Sequence, residues 1–292
     1  MKLISLLVFS VRGTEALAAK DAAMVEPDVG LIDVILRAVC GILGKSHPRH
    51  GVFMRLQETF LHTNLEMQGI HDVRWLSRGQ VVERLCEVLP VVIVLLQEYD
   101  TAIYHVITSL KFHVYLFFLA DVLAELNNLN LVFQRREVDL TGVQSLVHRT
   151  LIFIRERYID CGPQFGAETS KRLSPFLKRL SSSRTVKVEG IDSDGSTQKH
   201  SFDLHEEPLK GYSKTLGDLE TCINTCRSYA VAVVDHLQER FKDLDSLDGA
   251  KLFMPDSWPK DTDGRNKECA AHQEALFKMF HIGERREVLP GE

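Results

Sequence analysis

The chain has 292 residues, of which 45% are hydrophobic and 26% are charged, as is typical of a soluble globular protein with one large or two ordinary domains. Its 35 basic and 40 acidic residues give a net charge of −5, which argues against a surface that is basic all over but permits a local patch. The six cysteines are scattered along the chain, so they predict reduced thiols in an intracellular compartment rather than a disulfide framework.

The N-terminal residues allow two interpretations. Residues 3–9 form an apolar run that is similar to a short signal-peptide core, with residues 16–18 as a cleavage site. The same run is rich in Val, Ile and Phe and also fits a buried strand. We favour the strand, because Arg12 and Glu15 interrupt the region before the cleavage site. No later segment is expected to span a membrane, since the longest apolar run, 88–96, is about half the necessary length.

Hydrophobic periodicity predicts a mostly helical chain with a small β element. The predicted helices cover residues 15–23, 29–43, 52–65, 80–96, 104–133 (as one or two helices), 140–158, 216–241 and 268–280. A polar turn is predicted at residues 45–51. The short runs 185–188 and 200–204 flank the turn-rich residues 192–196, and this arrangement predicts a hairpin.

Residues 73–80 combine an arginine, one of only two tryptophans and a helix-start signal. Ser77 and Gln80 have the spacing of a capping box, so we expect the helix to start there with Trp75 just ahead of it. Trp and Arg are common at recognition hot spots, which makes Arg74 and Trp75 candidates for partner contact. Packing of Trp75 in the core is the alternative, and residue type alone favours that burial.

A basic segment follows the helical first half of the chain. Its charged residues include no acid between positions 171 and 187, and they are Lys171, Arg172, Lys178, Arg179, Arg184 and Lys187. Such a run can follow a phosphate backbone or bind an acidic partner. Basic loops are also common on soluble proteins, and a solvated loop is therefore the alternative.

The residues with metal-binding or catalytic potential form no strong motif. Cys222 and Cys226, with Cys269 and His272, supply four zinc ligand types, but their helical context favours small core residues. The chain has no nucleophile elbow, no H-E-x-x-H and no Gly-rich phosphate loop. The loop carboxylates are interpreted as solvated turn residues, and they are Asp192, Asp194, Asp203 and Asp256. We therefore predict no metal site, no cofactor and no small-molecule substrate.

Three blocks in order resemble hAT-superfamily transposases and the zinc-finger-type host proteins derived from them. Residues 73–85 resemble the arginine-tryptophan motif of that superfamily. Residues 15–22 (Glu-Ala-Leu-Ala-Ala-Lys-Asp-Ala) resemble the segment after its Cys-x-x-His signature. Residues 119–130 resemble its Leu-Asn-rich helix. The similarity covers roughly residues 10–160 and weakens toward residue 280.

The resemblance implies an RNase H-like nuclease core, split by a helical insertion, in which three acidic residues bind divalent metal. It also implies that the residues matching Arg74 and Trp75 lie near the DNA end being processed. The chain departs from this pattern, because Ser10 and Gly13 stand where the Cys-x-x-His signature is expected. The first catalytic aspartate would precede Met1, and the last glutamate has no convincing counterpart. No zinc-finger DNA-binding domain is recognisable either.

The predicted fold is mainly α, a helical insertion-type domain with a small β element and a remnant of an RNase H-like α/β core. Its expected segments are the core remnant with a helical entry (1–70), the insertion domain (71–160), a basic linker with the hairpin (161–210) and a C-terminal helical region (211–292).

The expected function is that of a catalytically inactive, transposase-derived module that contacts DNA or a protein partner in the nucleus, or alternatively in the cytoplasm. The predicted contact residues are Arg74, Trp75, Arg78, Lys171, Arg172, Lys178 and Arg179. One alternative is a metal-dependent nuclease subunit whose missing acids come from a longer product or a partner chain. A secreted helical protein is the other, if residues 1–18 are a signal peptide. No membrane partner is expected.

Overall fold

The computed structural model describes residues 14–44, 46–67, 75–133, 140–166, 170–207 and 217–241, together with residues 267 and 270. The side chains of residues 14–17, 75–77, 132–133 and 140–143 are not among the described parts. The predicted N-terminal strand or signal sequence lies outside the described residues, as does nearly all of the predicted helix 268–280.

Within these ranges the chain is mainly helical with one two-stranded antiparallel sheet, which confirms the predicted fold class at this level. The helices are α1 (Thr14–Val25), α2 (Pro27–Gly44), α3 (His47–Leu61), α4 (Trp75–Tyr99), α5 (Thr101–Ile107), α6 (Leu110–Phe133), α7 (Leu140–Ile154), α8 (Leu173–Leu180) and α9 (Leu219–Arg240). A π-helical turn, Arg155–Ile159, continues α7. The strands β1 (Thr185–Ile191) and β2 (Thr197–Asp203) lie between α8 and α9.

Two helix starts differ from the predictions. The turn predicted at residues 45–51 is wrong, because α3 already begins at His47 with Pro48 in its first turn. Proline suits that position, since the first helical N–H groups have no partner within the helix. Helix α4 begins at Trp75, so Ser77 lies inside its first turn and the predicted capping box is wrong. A cap contributes only about 1 kcal/mol, which is less than the burial of a long apolar helix.

Helix α6 is the central element of the core. It packs against α1, α2, α4, α5, α7, α8 and α9, and large side chains such as Phe112, Tyr115 and Phe118 are completely buried along it. The part Leu110–Leu131 is long and apolar enough to cross a membrane, but 67% of its most apolar window is buried inside the protein. A helix that is apolar on all sides and enclosed by other helices is typical of a core position.

The buried lysine of α6 has a specific partner in another helix. The Lys111 side chain is fully buried, and its Nζ lies 2.5 Å from Oδ2 of Asp28 near the start of α2. Because an uncompensated charge in the core is very costly, this ion pair ties α2 to the centre of the molecule. At the other side of the core, the Tyr229 hydroxyl of α9 donates to the carbonyl oxygen of Ala19 in α1 at 3.1 Å. Helices from both halves of the chain therefore share one core.

The hairpin agrees with the sequence prediction. Strand β1 pairs with β2 in antiparallel register, with Thr185 opposite Asp203 and Ile191 opposite Thr197. The five connecting residues include Gly195, whose φ of +83° lies in the left-handed region that favours glycine. The turn is closed by the N–H of Asp192, which donates to the carbonyl oxygen of Ser196 at 2.9 Å.

The hairpin packs closely on the C-terminal half of α3. The Thr59 hydroxyl donates to Oδ1 of Asp192 at 2.7 Å, and the rings of Phe60 and His200 meet edge to face with centroids 5.6 Å apart. A Cβ atom added at Gly190 would overlap the carbonyl oxygen of Thr59. Glycine at this strand position therefore permits the contact between β1 and α3.

We expect Gly190→Ala to destabilise the protein by about 1–3 kcal/mol, because the added methyl group forces the hairpin away from α3. The measurement is the free energy of unfolding from urea denaturation. Gly51→Ala is the control, since an added Cβ at this α3 position meets nothing within 4 Å and should be neutral or slightly stabilising. Equal stability of the Gly190→Ala variant and the wild type would contradict the close packing.

Candidate functional site

Helix α8 carries much of the basic segment, and α6 caps its N-terminus. The backbone N–H groups of Arg172 and Leu173 donate to the carboxylate of Asp121 at 3.1 and 2.9 Å. The Ser170 hydroxyl accepts from the N–H of Ser174 at 2.8 Å. Burial raises the pKa of Asp121, and the backbone hydrogen bonds oppose that rise. These contacts satisfy amides that would otherwise have no partner, so they fix the position of α8 on α6.

One face of α8 is apolar and packs into the core. Leu173 and Phe176 are buried, and the ring of Phe176 stacks on that of His113 from α6 with centroids 5.6 Å apart. The Phe117 ring also contacts Phe176, at a centroid distance of 5.0 Å. Sequence analysis placed this segment in a polar linker, because eight residues are too few to establish a periodic pattern. Here the structure corrects the prediction of a loop.

The opposite side of this region is basic. Lys171, Lys178 and Arg179 are exposed, and they form what we call the α8 basic face. The Arg179 guanidinium lies over the Phe176 ring at 5.6 Å from its centroid, so its stem covers apolar surface while its charge faces solvent. Of these three predicted contact residues, Lys178 and Arg179 lie in the last turn of the anchored helix, and Lys171 lies two residues before it.

The fourth predicted cation of this region has a different environment. The Arg172 guanidinium lies 3.8 Å from Oε1 of Glu83 and 3.7 Å from Oε1 of Glu87, both on α4. It therefore joins α8 to α4 as a half-exposed ion pair. Arg184, the residue before β1, also forms an ion pair, in which its Nη2 lies 2.5 Å from Oε1 of Glu206.

The arginine-tryptophan motif is described only in part. Arg74 lies outside the described residues, as does the side chain of Trp75, the first residue of α4. Arg78 is buried, and its guanidinium is paired with the carboxylate of Asp33 on α2. Burial raises the pKa of Asp33, and the charge of Arg78 opposes that rise. Arg78 therefore lies inside the fold, where it links α4 to α2, rather than on the surface where a contact residue was expected.

The thiols of α9 belong to the core, as their helical pattern predicted. Cys222 and Cys226 are fully buried. Burial raises the pKa of Cys222 to about 12 and that of Cys226 well above its ordinary value, so both thiols stay protonated at neutral pH. The remaining candidate zinc ligands, Cys269 and His272, lie outside the described residues.

The loop carboxylates accept hydrogen bonds within the hairpin and between the hairpin and α3. Besides the contact of Asp192 with Thr59, Oδ1 of Asp194 accepts from the N–H of Ser196 at 2.9 Å and Oδ1 of Asp203 accepts from the Thr185 hydroxyl at 2.6 Å. These hydrogen bonds agree with their interpretation as turn and strand-end residues. Asp256 lies outside the described residues.

Sequence analysis did not single out a surface cleft of about 330 Å³ between α2 and α3. Its polar lining includes His47, His50 and Glu66, and Nε2 of His50 lies 4.0 Å from Oε1 of Glu66. A volume of this size is at the lower limit of small-molecule sites.

The region from α1 to the π-helical turn can be compared with known families. Residues 14–157 match a FAM200/GTF2IRD2-like helical domain. This domain is transposase-derived, which confirms the origin implied by the resemblance at that coarser level. No curated protein and no solved structure matches the chain significantly. The matched region, residues 14–157, includes Arg78, His113 and Asp121, whereas α8 and the hairpin follow it in the chain.

Within the FAM200/GTF2IRD2-like helical domain, we expect Arg78→Ala to reduce the free energy of unfolding by about 2–4 kcal/mol, because it leaves the carboxylate of Asp33 without its buried partner. The measurement is urea denaturation at neutral pH. Arg55→Ala, which removes an exposed arginine from α3, is the control and should change stability by no more than about 0.5 kcal/mol. Unchanged stability of Arg78→Ala, together with weaker DNA binding, would instead support the surface role.

The buried His113 on α6 is expected to make the free energy of unfolding depend on pH. Burial lowers its pKa to about 3, and the nearby charge of Arg179 contributes in the same direction. The unfolded chain binds this proton near pH 6.5 and the folded chain does not, so the folded state loses stability as the pH falls from about 6.5 toward 3, by up to about 1.4 kcal/mol per unit.

The expected result is that His113→Phe shows a smaller loss of unfolding free energy than the wild type between about pH 7 and pH 5. Urea denaturation at several pH values measures this slope. The exposed His148 provides the control, since His148→Gln should keep the slope of the wild type. Identical slopes for His113→Phe and the wild type would show that His113 does not carry the effect.

Proposed function

We propose that this chain is a DNA-contacting module of a transposase-derived protein, that it acts in the nucleus, and that it does not cut DNA itself. The observation that carries the proposal is the α8 basic face, in which Lys171, two residues before α8, and Lys178 and Arg179, in its last turn, are exposed on a helix that is anchored in the core. Cations on a rigid, capped helix lose little side-chain and backbone freedom when they meet a phosphate backbone.

The charge distribution supports a local contact. The chain has a net charge of −5, so most of its surface repels DNA and binding must use a restricted patch. The segment from Lys171 to Lys187 contains no acidic residue, and the exposed Lys187 on β1 extends it beyond α8. Exposed cations that follow one another on neighbouring elements can track successive phosphates.

The resemblance to hAT transposases supports the non-catalytic part of the proposal, because the last catalytic glutamate of that superfamily has no convincing counterpart in this sequence. Two-metal phosphoryl chemistry needs several carboxylates on one pair of ions. Within the described parts of the chain, no group of three carboxylates lies close enough to share an ion. The rival function is an active nuclease, and metal-dependent cleavage of a hairpin-forming DNA end by the purified chain would support it and overturn our proposal.

The arginine-tryptophan motif is the second contact that we propose. The resemblance to hAT transposases implies that Arg74 and Trp75 lie beside a DNA end, and an aromatic ring with a guanidinium can stack on bases and pair with phosphates.

We expect Lys178→Gln/Arg179→Gln to weaken binding to a short double-stranded DNA roughly tenfold. It should also lower the slope of log affinity against log salt by about two, since each phosphate contact contributes about 0.9. Fluorescence anisotropy with a labelled duplex at several salt concentrations measures both quantities. Circular dichroism of the variant verifies that α8 and the rest of the fold are retained.

The matched control is Lys20→Gln/Arg55→Gln, which removes the same charge from exposed positions on α1 and α3 and should leave the salt slope unchanged. In the same titration, Trp75→Ala tests the second contact and should lower affinity with little effect on that slope. Salt-independent or absent binding by the wild type would contradict the DNA proposal and favour an acidic protein partner.

A further inference from the structure

Three side chains with metal-binding atoms meet where the hairpin returns to the helical core. They are His105 near the end of α5 and His205 with Glu207 just after β2, and one donor atom from each lies within 4.8 Å of the others. Nε2 of His105 lies 3.5 Å from Oε2 of Glu207, and the two imidazole rings are stacked with centroids 4.1 Å apart. Residues 100 positions apart in sequence therefore form one cluster.

The backbone around His205 is held in place. The N–H of Leu110 donates to the carbonyl oxygen of His205 at 2.8 Å, and the N–H of His205 donates to that of Thr108 at 3.4 Å. These bonds form a short parallel bridge between Ser109 and His205, at the break between α5 and α6. The cluster is thus built on the junction of two helices and not on a free loop.

A hydrogen bond determines which nitrogen of His205 can bind a ligand. Its Nε2 lies 2.8 Å from the carbonyl oxygen of His105, and a carbonyl oxygen only accepts, so this nitrogen carries the proton. In the neutral ring, Nδ1 of His205 therefore carries the lone pair. Among the described residues, this buried Nδ1 has no hydrogen-bond partner. Metal-binding histidines typically donate their other N–H to a backbone carbonyl in this way.

We propose that His105, His205 and Glu207 bind a divalent zinc ion, with water as the fourth ligand. Two imidazoles and one carboxylate are a donor set that zinc prefers, and three protein ligands leave one position open. In a tetrahedral site with bonds of about 2.0–2.1 Å, the donors lie about 3.4 Å apart. The pair His105–Glu207 is already at 3.5 Å, and all three donor atoms lie within 4.8 Å of one another.

The ion would join the α5–α6 junction to the segment after β2. Because β2 pairs with β1, and β1 follows α8 directly, the ion would restrain the element that carries the α8 basic face. The site does not depend on DNA binding, since its ligands are separate from the cations of that face.

The test uses the full chain after removal of metal with EDTA, titrated with zinc in competition with a chromophoric chelator. We expect one ion per chain in the wild type. We expect Glu207→Gln and His205→Ala to weaken zinc binding at least about tenfold. Glu207 is exposed, so Glu207→Gln should fold normally, and it separates loss of a ligand from loss of structure. Zinc should also raise the Tm of the wild type but not that of Glu207→Gln.

The matched control is a second histidine–glutamate pair among the described residues, in the cleft between α2 and α3. His50→Ala and Glu66→Gln should leave zinc affinity unchanged. Cobalt identifies the donor atoms, because visible d–d bands without a thiolate charge-transfer band indicate nitrogen and oxygen ligands. A thiolate band, or equal zinc affinity for Glu207→Gln and the wild type, would overturn the proposal. Loss of DNA binding with zinc binding intact would contradict only the proposed function.

Discussion

The enclosure of α6 by the other helices is the constraint on which the rest of the structure depends. A charged group buried in such a helix is stable only if a neighbouring element supplies a partner. Lys111 obtains the carboxylate of Asp28, and Asp121 obtains the N-terminal amides of α8. Each partnership holds an outer element in one position. The apolar residues of α6 favour packing against any apolar helix face. Its charged residues, which need specific partners, therefore determine the positions at which α2 and α8 pack.

The orientation of the α8 basic face follows from this arrangement. Asp121 caps the helix at one end, and His113 receives the Phe176 ring beneath it. With two anchors on α6, Lys178 and Arg179 remain exposed in the last turn of α8. The anchors lie within residues 14–157, the region that matches the FAM200/GTF2IRD2-like helical domain, whereas the cations lie beyond it. The matched helices thus position a charged surface that is not part of the matched region.

Residues of the same chemical type have opposite roles in this fold. Arg78 has a charge suited to a surface contact, yet it is buried against Asp33, while Arg179 uses Phe176 as a platform at the surface. The histidines differ in the same way. His113 is enclosed by aromatic rings and kept neutral by burial, whereas His105 and His205 stack at an accessible junction beside a carboxylate. In each case the charge state and the contacts of the side chain depend on the residues that pack against it from other helices, and not on residue type alone.

The sequence by itself determined the features that depend on neighbouring residues: the helical pattern, the hairpin with its turn residues, the burial of Cys222 and Cys226 in α9, and the acid-free basic segment. It did not predict α8, because eight residues show little periodicity and its helix depends on a cap from Asp121, roughly fifty positions away. Nor did it predict the pairing of Arg78 or the cluster of His105 with His205. Only the tertiary structure decided these, because contacts between distant residues arise from how the helices pack around α6 and leave no local periodicity in the chain.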